Sequence, residues 1–180
     1  MEKNWDEIKS AAEDYATRNP ARGMNCAEAV LDACIRSGAL DADADYTAFA
    51  TGFGGGGGVS GYTCGALSAA ILANSIAHGR RELDADPPAV LRAELRERVY
   101  KRYNNIVADF LKESVSGLCR EIIGQFAGGY ADADARENCV RLCGVAARIA
   151  VDYLQLDEDD ADDLEYDESA IGIPNWTVDS

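Results

Sequence analysis

Gly52-Phe53-Gly54-Gly55-Gly56-Gly57-Gly58-Val59-Ser60-Gly61-Tyr62-Thr63-Cys64-Gly65-Ala66-Leu67-Ser68-Ala69-Ala70 is the stretch from which the rest of the chain can be read. A glycine run ends, one cysteine follows, and an apolar pattern at helical spacing begins at once. Backbone without a Cβ can approach a ligand, a metal or another helix closely. A thiol in the first turn of a helix lies at the positive end of the macrodipole, which favours thiolate. From Ala66 to Ile76 the pattern is apolar on nearly every side, as in a helix at the centre of a core. The fold is therefore expected to pack other helices around this one, with chemistry at its N-terminal end.

The flanking sequence supplies those helices. Trp5, Ile8, Ala12, Tyr15 and Ala16 recur at helical spacing over residues 4–18, and Asn19-Pro20 stops the pattern. Asn25 is a good N-cap with Glu28 three residues on, as in a capping box, which puts Cys26 at the first helical position. Cys34 lies two turns further along the same face. Residues 45–51 make a short helical piece before the glycines. His78-Gly79 closes the central helix, and the dipole there favours an imidazolium. Pro87-Pro88 opens a helix over 89–113, with Val90, Leu91, Leu95, Val99, Tyr103, Ile106, Val107, Phe110 and Leu111 turned inward. Ser116 reads as the cap of a short helix that carries Cys119 in its first turn. A last helix over 135–156 has Cys139, Leu142, Cys143, Ala146, Ile149, Ala150, Tyr153 and Leu154 on its inner stripe. No useful strand alternation occurs. The class is all-α: a compact bundle of five to six helices over residues 1–156, with a Gly-rich loop. Residues 157–180 form an acidic tail, expected to be disordered or loosely docked, with Ile171, Ile173 and Trp176 as its apolar anchor.

Charge narrows the function. The net charge is −15, and ten acidic residues with no Lys or Arg lie between 157 and 180. Nucleic-acid binding is not expected, because phosphate contacts need a basic surface. Arg92, Arg96, Arg98, Lys101 and Arg102 alternate with Glu94 and Glu97 and read as a solvated helix face. The tail lacks the EF-hand pattern. No window is long and apolar enough to insert into a membrane and the start shows no leader, so a cytoplasmic location is expected. There, six cysteines point to reactive thiols, metal ligands or core residues before disulfides.

The spacing of the cysteines excludes the commonest metal motifs. Only Cys139 and Cys143 are close in sequence, and they share a helix, so no zinc knuckle forms. Plant-type iron–sulfur and haem-attachment spacings are absent. Gly52-Phe53-Gly54-Gly55-Gly56-Gly57 formally contains G-x-G-x-x-G, but it follows no strand and is not read as a dinucleotide site. Cys34 and Cys143, both at mid-helix, read as packing residues. Cys26, Cys64 and Cys119, all expected in first turns, read as functional.

Asn25-Cys26-Ala27-Glu28-Ala29-Val30, Cys64-Gly65-Ala66-Leu67-Ser68, Cys119 before Arg120-Glu121, and Cys139 in a late helix together resemble the redox-active protein family named for its C-GCAxxG-C-C cysteine pattern. The resemblance runs from about residue 24 to 154 and implies that Cys26, Cys64, Cys119 and Cys139 are the characteristic cysteines. One departure is Ala69, where the family's CGAxxG carries its last glycine. Three readings follow. In the first, these four cysteines converge to ligate an iron–sulfur cluster or another thiophilic metal for electron transfer, with the backbone of Gly54, Gly55, Gly56, Gly57 and Gly65 close to the cofactor. In the second they perform dithiol/disulfide chemistry without metal, Cys64 or Cys26 attacking. In the third the chain is a non-catalytic interaction module with packed cysteines. The first two require an unidentified redox partner, and a homo-oligomer is left open.

Overall fold

The computed structural model describes residues 3–81, 86–174 and 176. Helix α1 (Trp5–Arg18) is capped by Asn4, whose side chain accepts from the Glu7 amide, and it gives way at Asn19 to a 3-10 turn carrying Pro20. Helix α2 (Cys26–Arg36) starts at Asn25 with the complete capping box. A 3-10 segment, Ala44–Phe53, leads into the glycines, and α3 (Gly65–His78) follows them. The expected 89–113 helix is divided: α4 (Pro88–Glu94), a π-helical turn over Leu95–Val99, and α5 (Tyr100–Glu113). Helix α6 (Cys119–Ile123) is a short turn, and α7 (Ala133–Leu154), capped by Asp132, is the longest element. Among the described residues there is no strand; Thr63 and Leu118 form one isolated antiparallel bridge.

Helices α1, α2, α3 and α7 pack on one another, and α5 closes the remaining side of α7. Alanines dominate these seams: Ala12, Ala16, Ala27, Ala29, Ala33, Ala69, Ala70, Ala73, Ala146, Ala147 and Ala150 are fully buried. Small side chains let the helix axes come close, and Leu31, Ile106, Phe110, Leu142 and Val151 fill the larger gaps. The all-α bundle read from the periodicity is the fold observed.

Three expectations need correction. Val90 is not inward: it is 52% exposed, and α4 buries no residue, because this first stretch projects beyond the neighbouring helices. Ser116 does not cap α6. Leu118 holds that position, and Ser116 Oγ instead accepts from the Leu118 amide and donates to Glu121 Oε2. Arg102 does not belong to a solvated face: it is buried, and its guanidinium donates to the carbonyls of Tyr153, Leu156 and Asp157, satisfying the end of α7.

Beyond α7, helix α8 (Glu158–Asp162) and the chain after it lie along α5. Arg98 pairs with Asp162 (2.7 Å) and Glu158 (3.6 Å), and the Tyr166 hydroxyl donates to the Arg96 carbonyl. The Trp176 ring lies 6.4 Å from those of Tyr100 and Tyr166, whereas Ile173 is exposed. Positions 175 and 177–180 of the expected tail lie outside the described residues. No helix among the described residues is long and apolar enough to cross a membrane.

Candidate functional site

The N-terminal ends of three helices carry Cys26, Cys64 and Cys119. Cys26 is the first residue of α2. Its position is held from both sides: Asn25 Oδ1 accepts from the Ala27 and Glu28 amides, Glu28 accepts from the Asn25 amide, and Asn25 and Glu28 also bond Thr51 of the 3-10 segment. Cys119 is the first residue of α6. Cys64 falls one step earlier than the sequence suggests, at the N-cap of α3 rather than inside its first turn.

Backbone pairing locks Cys64 beside Cys119. The Cys64 amide donates to the Gly117 carbonyl at 2.8 Å, the Cys119 amide to Tyr62 at 2.6 Å, and the Arg120 amide to Gly61 at 3.0 Å. Gly56 makes room for this arrangement. Its φ is +75°, and a Cβ there would stand 2.8 Å from Cys119 Cβ and 2.6 Å from the Tyr62 nitrogen. Gly65 does the same between α2 and α3: a Cβ would meet Cys26 Sγ at 2.6 Å and the Phe53 oxygen at 2.7 Å. The other glycines of the run face elsewhere. Gly54 lies against the Asn25 side chain, Gly55 against Val59, and a Cβ on Gly57 would touch nothing within 4 Å.

Cys139 and Cys143 come from α7, one turn apart and so on one face. Cys139 is half-buried. Cys143 is 1% exposed, and its sulfur lies 3.7 Å from the Cys26 carbonyl oxygen. Mid-helix position alone marks Cys143 as a packing residue, but its i,i+4 spacing from Cys139 on the inner stripe turns both thiols toward the same side. Cys34 is also fully buried, but nothing other than burial acts on its thiol, which is pushed up to about 12. It stands apart from the other five. All six cysteines are free.

Burial is the main influence on the thiols near the α3 N-terminus, with neighbouring cysteines a lesser one. Burial pushes Cys64 up to about 12, against the opposing pull of the Leu67 amide; charge on Cys26, and less so on Cys119, raises it further. Burial and then charge on Cys26 raise Cys119. Cys139 is pushed up to about 11 by burial, then by charge on Cys26 and Cys119. Cys143 rises well above the ordinary range through burial, then through Cys26, Cys64 and Cys139. At Cys64 and Cys119, the helix-terminus preference for thiolate is outweighed by desolvation, the reverse of the sequence expectation. Exposure divides the set into two layers. Cys26, Cys119 and Cys139 are half-buried, whereas Cys64 and Cys143 are buried behind them.

A metal centre would need at least three of these sulfurs to converge on it in deprotonated form. Among the described residues no three Cys, His, Asp or Glu side chains are so arranged, so the present arrangement does not fit a resident metal. His78 is far along α3 from the thiols, in the lining of a cavity of about 500 Å3 with Arg80, Glu94, Arg98, Arg102 and Asp162. Burial, then the Arg102 charge, lowers its pKa and works against the imidazolium that the helix end alone would favour.

Residues 24–153, well over half of the chain, match the model of the family described as Putative redox-active protein (C_GCAxxG_C_C), and the chain belongs to that family. No curated protein matches it. No solved structure matches it.

Proposed function

We propose that this member of the redox-active cysteine family performs two-electron thiol–disulfide exchange at the end of α3 where Cys26, Cys64, Cys119 and Cys139 meet. What supports this reading is the close fit of Cys26 Sγ against Gly65 beside Cys64, the backbone pairing that sets Cys119 next to Cys64, and the arrival of α7 with Cys139 and Cys143 against Cys26. In the reaction two cysteine thiols give up two electrons and two protons, and an external disulfide is reduced to two thiols. Cys26 is the attacking residue. It is half-buried at the start of an eleven-residue helix, whereas Cys64 is covered and its thiol is held protonated. Cys119 and Cys139 are the other sulfurs open to a partner. Gly56 and Gly65 serve by leaving space for Cys119 and Cys26 rather than by holding a cofactor. The partner is a disulfide-bearing molecule, and a reducing compartment such as the cytoplasm is where such a site would cycle.

Thiol counting tests this. Of six cysteines, two per molecule are expected to be lost on equilibration with a mild disulfide oxidant and recovered on reduction. Retention of all six overturns it. Anaerobically prepared protein should contain no stoichiometric iron; iron with a matching visible absorption would replace this reading with the cluster-bearing one.

A further inference from the structure

We infer that Cys143 is a fifth working thiol, the buried partner that resolves Cys26; this rests on the thiol–disulfide reading above. Its sulfur is set against the backbone of Cys26 at 3.7 Å from the carbonyl oxygen. It projects from the same face of α7 as Cys139, in the layer behind the half-exposed sulfurs. Such an arrangement separates the two tasks of an exchange reaction. The outer sulfur meets the external disulfide, and the inner one is reached only from within.

The steps balance as follows. The Cys26 thiolate attacks one sulfur of an external disulfide RSSR; a Cys26–SR bond forms and RS⁻ leaves, taking a proton from water. Cys143 attacks the Cys26 sulfur, its proton passing to the second leaving thiolate. A Cys26–Cys143 bond forms, the second RS⁻ leaves and is protonated, and two electrons have passed from the pair to RSSR. The step requires the Cys26 side chain to turn from Gly65, against which its sulfur is packed, toward Cys143.

The test uses the full chain with glutathione disulfide as oxidant. Free thiols are blocked, and linked peptides are identified by mass spectrometry in wild type, Cys143→Ala and Cys143→Val. The expected result is a Cys26–Cys143 linkage in wild type. In both variants, with folding checked by circular dichroism, the linkage is lost and Cys26 accumulates as its glutathione adduct. Linkage of Cys26 to Cys64, Cys119 or Cys139 in wild type, or undiminished disulfide in a folded variant, overturns the role of Cys143 and leaves the exchange function standing. Absence of any disulfide, with six thiols retained, overturns the exchange function itself.

Discussion

The two ends of α3 are built by opposite rules. At its N-terminus Cys26, Cys64 and Cys119 are set against glycine backbone, and no Lys or Arg occurs between Arg36 and Arg80. At its C-terminus His78 faces a cavity crowded with charge, but those charges are spent on one another: Arg80 on Glu94, Arg98 on Asp162 and Glu158, and Arg102 on the carbonyls ending α7. The charged end is thus occupied in holding the acidic segment and helix termini. At the thiol end the nearby cation, Arg120, lies over the Tyr62 ring, 5.2 Å from its centroid. Density of charge is therefore a poor guide to where this molecule acts.

That contrast can be broken by experiment. The largest effect is expected from Cys26→Ser, which should abolish disulfide formation on oxidation, whereas Arg98→Ala should leave it unchanged; thiol counts on both variants check this. Alkaline pH comes next. Cys34 and Cys64 are pushed from 9.0 to about 12 in the folded chain, so above pH 9 the unfolded chain loses these protons first. Their contribution to stability is complete below pH 9 and falls as pH rises toward 12, by on the order of 5 kcal/mol at pH 11. Chemical denaturation of the reduced protein from pH 8 to 11 measures it.

Gly56→Val should cost about 3 kcal/mol, from the left-handed backbone and the collision with Tyr62 and Cys119, whereas Gly57→Ala should cost about 1 kcal/mol because only its backbone conformation resists. Arg102→Met should cost about 2 kcal/mol by leaving the α7 carbonyls unpaired, with thiol chemistry intact. Smallest is Arg98→Ala, under about 1 kcal/mol, since its ion pairs are exposed. Urea unfolding midpoints on the same preparations rank all four.

Much of this was legible in the chain. The Asn25–Glu28 capping box and the start of α2 at Cys26 are local chemistry, written within four residues, and the apolar run after Cys64 announces a central helix. What was not legible depends on neighbours. Cys143 looks like any small core residue until α7 is laid against α2. Arg102 looks solvated because its neighbours in sequence are charged, and its burial follows from the end of α7, more than fifty residues away. The protonated state of Cys64 reverses a correct local argument, since the helix terminus favours thiolate and the surrounding apolar atoms outweigh it. The π-helical turn at Leu95–Val99 has no signature in the periodicity.

The most direct test of the central claim is a count of free thiols in denatured protein before and after native protein is equilibrated with glutathione disulfide. The account predicts six before and four after, with full recovery on reduction. Six before and six after would contradict it.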